Sequence, residues 1–577
     1  MKTAASNRYL WAIALTVTAA TASAEPWKFG VISDTQWKDS PDGLNPNTVA
    51  VNVIRHLDEQ LIQAGAKFVV AVGDVTNDGS VLALDTRATF AQELYNAGVG
   101  FYPLRGNHES SATAAAEFRR VFPQTQNGIN NLTPEDALIT TAYYGAPAES
   151  TRAPFKVGKH FSSYPSTDGG YDGLFYAFDY HNARFVLIDQ FTPALGSSHS
   201  NLDADQIDWI GSQLSSRAPH SHAFVFGHKG FITENHSDTL FGSNPSVAPE
   251  LQNTLMAYLD GAGVRYYMGG HDHMHNRAVV VSPDGASSIQ NIITASDSYK
   301  FYIPKIPSND DRYDILDYGI TNGPRETELA QELFAIGYYL VTVDGPRVTV
   351  DYFSTPNGCG GDCDLTNDTV PYSFERRETF GYSLNGREFL VEAGGSYTVI
   401  ADSHDGTRVE ILDGENQPNL ADYAGRYLSH AVDTGWSPRE CGSASATLVL
   451  WGMSTMGPEM GPDQTDPYVL SLSYDRDVNH RQLVRGQIGI ETRDADGNWV
   501  LAASLTDSTP RFVFGPWQPT YELGTYGVDP RSGTAWAAID YQGEFRVANL
   551  EPAQRDKCRH EARHPVRGHG VERRHHR

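Results

Sequence analysis

The sequence predicts an α/β domain over residues 25–356 and a β-rich, sandwich-like region over residues 378–550, and three observations carry that division. The apolar runs WKFGVIS, KFVVAVG, VGFYPLRG, HAFVFG and VRYYMGG each read as a buried strand. Helical patterns separate these runs in the first half, as an α/β layer arrangement requires. After residue 378, strand-like runs follow one another with Asp-Gly and Gly-Gly turns between them.

Taken in order, Lys2 and Arg8 precede the apolar run LWAIALTVTAA, and Ala22-Ser23-Ala24 before Glu25 matches a signal-peptidase site. Residues 1–24 therefore read as a signal peptide, and the mature chain as periplasmic or extracellular. That run is too short for a membrane span, and the sequence offers no other candidate. Behind the first strand, Val49, Val53, Ile54, Leu57, Leu61 and Ile62 recur at helical spacing, with Gly65 as a stop. A second helix runs from about Val81 to Ala97 and ends at Gly98. RFVLIDQ reads as a further strand. Asp203-Ala-Asp-Gln206, ahead of Ile207, Trp209, Ile210 and Leu214, is a capping-box helix start. The run YYLVTVDGPRVTVDYFS, with Asp344-Gly345 at its turn, predicts a hairpin that closes the domain.

Residues 357–377 are rich in Gly, Asp, Asn and Pro and read as a linker, in which Cys359 and Cys363 could close a tight disulfide loop. Cys441 is then either free or paired with Cys558. In the β half, FLVEAGGSYTVIA, ATLVLWG, YVLSLSY, GQIGIET, NWVLAAS and TAWAAIDY predict one or two sandwich modules. Asp494-Ala-Asp-Gly-Asn498 has too few ligands for a calcium loop and reads as a hairpin turn. Trp436, Trp451, Trp499, Trp517 and Trp536 would suit sugar stacking, but core packing is the default for each. Residues 551–577 form a basic tail read as disordered, and none of its histidines is assigned to a metal.

The chemistry concentrates where the strands end. Asp34-Thr35-Gln36, Gly73-Asp74, Gly106-Asn107-His108-Glu109, Gly227-His228 and Gly270-His271-Asp272-His273 each follow one of the five apolar runs. Loops beyond strand carboxyl ends converge on one crevice in open α/β sheets, so these side chains are expected to meet. Two divalent cations about 3.5–4 Å apart need a bridging ligand, and a carboxylate such as Asp74 can bridge whereas an imidazole cannot. Mixed oxygen and nitrogen donors suit Mn, Fe or Zn better than Ca or Cu(I).

In motif order and spacing these segments resemble the calcineurin-like metallophosphoesterase superfamily, with its D-x-H, G-D-x-x-(N/D), G-N-H-(D/E), G-H and G-H-x-H pattern, over about residues 26–356. The resemblance implies two packed mixed β-sheets flanked by helices. It places Asp34, Gln36, Asp74 and His273 around one cation, and Asp74, Asn107, His228 and His271 around the other. His108 matches the catalytic histidine, which is not a ligand. Gln36 stands where the family usually has histidine, which leaves the first cation three oxygen donors and one nitrogen. The implied reaction is hydrolysis of phosphate mono- or diesters, in which a hydroxide bridging the cations attacks phosphorus in line.

Singly, each motif has a structural reading as a turn, a helix cap or a satisfied buried histidine. Five in order, each behind its own strand, argue against that reading. His275 extends the alternation of His271 and His273 and is expected at the rim. The insert from Ser110 to about Gly173, with Tyr143, Tyr144, Tyr164, Tyr171 and the following Tyr176, offers rings that could stack on a substrate or pack the insert down.

The net charge of −26 becomes −28 without Lys2 and Arg8, which excludes general nucleic-acid binding through phosphate contacts. A small phosphate ester is the expected partner, and it would draw its positive counterpart from the cations. The competing class is a secreted binding or attachment protein whose phosphoesterase domain is degenerate. Gln36 favours that class; retention of His108, His271 and His273 weighs against it.

Overall fold

The computed structural model describes residues 25–551 apart from 41, 127–155, 166–169, 192–200, 244, 303–324, 359–364, 366–369, 392–396, 402–407, 413–428, 441, 455–460 and 476. Residues 1–24, read above as a signal peptide, all four cysteines, Tyr143, Tyr144 and the tail beyond Glu551 lie outside the described residues.

The first half is built on two sheets. One contains β1 (Trp27–Ile32), β2 (Phe68–Val72), β3 (Gly100–Leu104), and, later in the chain, a strand at Ala335–Asp344, one at Arg347–Pro356 and one at Glu375–Ser383. The other contains β4 (Lys159–Ser163), β5 (Tyr176–Tyr180), β6 (Ala183–Leu187), β7 (His222–Phe226), β8 (Tyr266–Gly269), β9 (His275–Val281), β10 (Ser288–Ile293) and β11 (Glu326–Glu332). With β12, β13 and β14 naming the three late strands in chain order, the first sheet runs β14-β13-β12-β1-β2-β3 and the second β11-β9-β10-β8-β7-β6-β5-β4.

All five apolar runs are strands, and their pairing explains their composition. β1, β2 and β3 are mutually parallel, as are β6, β7, β8 and β10 in sheet order. Each is covered on both faces, so an uninterrupted apolar run replaces an alternating one. Phe29, Val31, Phe68, Val70 and Tyr102 face Phe178, Phe185, Phe224 and Phe226 between the sheets. Phe29 meets Phe185 edge-on at 5.2 Å and Phe224 at 5.1 Å, a favourable arrangement for aromatic rings. The alternate residues Ile32, Val69 and Ala71 turn outward onto α1 (Val51–Gln63), α2 (Val81–Asn96) and α3 (Ala112–Val121). On the far side, α4 (Ala204–Ser215) and α5 (Pro249–Gly261) cover the second sheet through Ile207, Ile210, Leu214, Leu255 and Leu259. The result is a helix–sheet–sheet–helix sandwich. Both helix stops fall on left-handed glycines, Gly65 (φ 79°) and Gly98 (φ 77°), and the capping box at Asp203 forms with Gln206.

Three expectations change. β12 and β13 do form a hairpin, but Asp344 pairs with Arg347, so the two-residue loop is Gly345-Pro346, with Gly345 at φ 57°. That hairpin does not close the domain. β14 starts inside the expected linker and adds to β13, carrying Phe380 and Tyr382 into the space between the sheets, so the boundary expected at 377/378 falls inside the first sheet.

His275 is the third. It is fully buried rather than at the rim, because β9 begins there and points it between the sheets. Its Nδ1 lies 2.5 Å from the Tyr339 hydroxyl and its Nε2 3.1 Å from Glu378 Oε2, while Tyr352 stacks on it at 4.1 Å. Arg277 Nε donates to Glu378 Oε1 at 3.0 Å. Burial alone would push the Glu378 carboxyl up; Arg277 and His275 overcome it and hold the group down at about 2.

Among the described residues the C-terminal half forms two six-stranded sheets between Glu388 and Asn549. Val432, Leu448 and Leu450 of one meet Leu470, Leu472, Ala537 and Ile539 of the other. Trp436, Trp451 and Trp536 are buried, as core packing requires. Asp494–Asn498 is the turn of a hairpin between Ile488–Arg493 and Trp499–Leu501. Arg376 to Asp463 (2.6 Å) and Arg347 to Glu544 (2.7 Å) join this half to the first sheet. Tyr171 of the insert and the following Tyr176 are buried, and Tyr164 packs against Tyr171 and Trp209.

Candidate metal centre

Asp34 and Asp74 each lie two residues beyond the ends of β1 and β2, and Asn107 three beyond β3; His228 and His271 lie two beyond β7 and β8. Two sheets therefore deliver candidate ligands to one edge. Asp34 (φ 51°), Asp74 (φ 45°), His271 (φ 78°) and His273 (φ 50°) all take left-handed backbone conformations, which cost side-chain-bearing residues energy and persist where the surrounding structure holds them. Glycine makes the convergence possible. A Cβ on Gly106 would sit 2.0 Å from Asp74 Oδ1, and one on Gly270 2.3 Å from Asp34 Oδ2.

Ligand atoms of Asp74, His228 and His271 lie within 4.8 Å of one another, as do those of Asp34, Asp74 and His273. Asp74 belongs to both groups. Its Oδ2 is 3.3 Å from His228 Nε2, and its Oδ1 accepts from the His108 main-chain N–H at 3.0 Å. Asn107 Oδ1 is 3.0 Å from His228 Nε2. His228 Nδ1 is 3.0 Å from the Val72 carbonyl, an acceptor that fixes a proton on Nδ1 and turns Nε2 towards Asp74 and Asn107. Ser296 Oγ donates to the Lys300 carbonyl at 2.8 Å and so accepts from His273 Nδ1 at 3.1 Å; His273 Nε2 is then the bare nitrogen, 3.5 Å from Asp34 Oδ1.

Whether these residues fit cations is tested by Gln36. Its side chain is fully buried, its Nε2 donates to Asp74 Oδ2 at 3.1 Å, and its Oε1 has no hydrogen-bond partner among the described residues. A buried amide oxygen left unpaired is costly unless something electropositive meets it. A half-turn of the amide would present that oxygen beside the carboxylate both groups share. The set of carboxylates, amides and imidazoles suits divalent Mn, Fe or Zn.

The charges around the centre respond to burial first. Burial pushes Asp34 up to about 6, with Asp74 adding to it and His228 opposing. Burial would lower His228, but Asp74 and Asp34 raise it to about 9. Burial takes His271 down to about 4 and His273 well down, so both imidazoles are neutral donors. Burial, reinforced by Asp74, pushes Glu109 up to about 7; its oxygens accept from Thr76 N–H (3.0 Å), Thr76 Oγ1 (2.8 Å) and Gly106 N–H (3.1 Å), tying the loops after β2 and β3 together.

His108 stands apart from both groups. Its side chain is 25% exposed, its Nδ1 bonds the Asn77 carbonyl, and its Nε2 is 3.7 Å from Asp74 Oδ2. That leaves the ring partly open to solvent beside the carboxylate shared by both groups.

Several contributors have no motif. Asp238, in the segment after His228, has Oδ1 3.1 Å from His271 Nε2 and a second oxygen on the Lys229 ammonium. His236 stacks on His271 at 4.1 Å, and Tyr302 meets His273 edge-on at 5.1 Å. A Glu-Asn-His-Ser-Asp run behind a strand-end histidine was the available signal for the first two. With Nε2 held by Asp238, His271 has Nδ1 left for a cation. Asp238→Asn should weaken cation binding at the His228–His271 position by about 10- to 100-fold, the usual effect of removing the carboxylate behind a metal-bound imidazole. Cation content at graded free concentration measures it.

Residues 28–275 match the family model described as calcineurin-like phosphoesterase. Among solved structures, a purple acid phosphatase from yellow lupin (Lupinus luteus) seeds aligns at 14% identity with TM-score 0.35, over 63% of this chain and 54% of that one. A dimetal phosphatase from Danio rerio aligns at 16% identity with TM-score 0.32, over 56% and 95%. GAP50, the anchor in the inner membrane complex of Plasmodium, aligns at 12% identity with TM-score 0.31, over 60% and 90%. No curated protein matches the chain in sequence.

Proposed function

We propose that the calcineurin-like phosphoesterase domain over residues 28–275 hydrolyses phosphate mono- or diesters with two divalent cations, in a chain exported through residues 1–24. The observation that carries this reading is the position of Asp74 in both ligand groups, from which one carboxylate would serve two cations. Asp34, Gln36, Asp74 and His273 would hold the first cation, and Asp74, Asn107, His228 and His271 the second. When bound, the pair neutralises charge on the phosphoryl oxygens and lowers the pKa of water.

The chain's own residues do the rest. His228 and His273 are held by Val72 and Ser296 in the tautomers a cation needs. His108, anchored through Nδ1 to Asn77, would present Nε2 to the leaving oxygen and, as an imidazolium, give that oxygen its Nε2 proton as the ester bond breaks, leaving the neutral ring. Export is supported by the charged start, the apolar run and the Ala22-Ser23-Ala24 site; among the described residues no helix is long and apolar enough to cross a membrane.

A panel of phosphomonoesters and phosphodiesters, assayed on protein reconstituted with Mn, Fe or Zn, tests the reading. Hydrolysis of at least one ester, lost on chelation, is expected. No turnover with any cation would favour the degenerate domain instead.

A further inference from the structure

The segment leaving β10 crosses the first cation position and is tied to it at successive residues. Thr294 N–H donates to the Gly269 carbonyl at 2.7 Å, and Asp297 Oδ2 accepts from Ser33 N–H at 3.0 Å, next to Asp34. Ser298 Oγ donates to the Gln36 carbonyl at 3.2 Å. Ser296 links His273 to the Lys300 carbonyl, so the main chain that carries Lys300 is fixed to a candidate ligand. The Lys300 ammonium lies 5.8 Å from the ring of Tyr302, which itself meets His273 and His236 edge-on.

Other cations near the centre are committed. Lys229 is paired with Asp238, and Arg105 is buried on Asp189 at 2.7 Å while also donating to the Phe191 and Glu109 carbonyls. Among the described residues no carboxylate lies within ion-pair distance of Lys300, which is only partly buried. Its ammonium stands beside Tyr302, whose ring meets His273 edge-on at 5.1 Å, at the edge of the first ligand group.

We propose that Lys300 binds a terminal phosphoryl oxygen of the substrate and makes a phosphomonoester dianion the preferred substrate class. The inference rests on the phosphoesterase reading above. A monoester carries close to two negative charges at neutral pH and keeps three terminal oxygens. Two of these can face cations, and the third is open to an ammonium, which donates up to three hydrogen bonds and accepts none. In a diester the third oxygen is alkylated and carries no charge for Lys300 to meet.

The test compares wild type, Lys300→Gln and Lys300→Arg, each loaded with Mn, using 4-nitrophenyl phosphate, bis(4-nitrophenyl) phosphate and inorganic phosphate. Lys300→Gln should lose about 10- to 100-fold in kcat/KM on the monoester, the worth of one hydrogen bond to a charged group, while the diester changes less than about threefold. Calorimetry should show weaker binding of inorganic phosphate to the same degree, with cation content unchanged; Lys300→Arg should restore most of both. Equal phosphate affinity in wild type and Lys300→Gln would overturn the assignment, as would equal losses on both esters. The two readings fail separately. Turnover unaffected by Lys300→Gln rejects only the role of Lys300, whereas phosphate binding that depends on Lys300 without turnover of any ester supports it and rejects the hydrolase.

Discussion

Asp74→Ala should abolish both cation binding and ester hydrolysis. Asp74 is the residue common to the two ligand groups, so its loss removes a donor from each position at once. It also accepts from the His108 main chain and from Gln36 Nε2, which sets the loops after β1 and β3 in register. Asp74→Asn keeps the shape and one oxygen but removes the charge, and should retain at most the cation held by Asn107, His228 and His271. Comparing cation content with turnover for the two variants measures the effect, with circular dichroism as the check that the fold persists. Two cations bound by Asp74→Ala would mean that the carboxylate bridges nothing.

His108→Ala should lower kcat by about 10²–10⁴, the range expected for a lost general acid, while both cations stay bound. Its side chain belongs to neither ligand group, and its Nδ1 is occupied by the Asn77 carbonyl. The loss should shrink for esters with strongly acidic leaving groups, which depart without a proton. An equal loss for good and poor leaving groups would assign His108 to binding rather than proton transfer, and loss of a cation would make it a ligand.

The convergence of Asp34, Asp74, Asn107, His228 and His271 was legible because each lies two or three residues beyond a strand end, and a parallel strand covered on both faces leaves few alternatives to its assignment. Helix ends were legible for a similar reason, since Gly65, Gly98 and Asp203 act locally. What was missed depends on pairing across long sequence separations. β14 starts Glu375-Arg-Arg-Glu378, which looks like exposed linker, yet Glu378 is buried because Arg277 and His275 arrive from the other sheet. The same pairing moves His275 from the rim to the interior. Asp238, Ser296 and Lys300 lie in segments without periodicity, and only the folded chain brings them to His271 and His273.

The most direct measurement is a titration of cation-free protein with Mn, following bound cation per chain and hydrolysis of 4-nitrophenyl phosphate in the same samples. Two cations per chain are predicted, with the Asn107–His228–His271 position filling first, because the Gln36 amide is a weaker donor than imidazole. Turnover should appear only as the second cation binds. Hydrolysis by the cation-free protein at the loaded rate, or full activity at one cation per chain, would contradict the two-cation account.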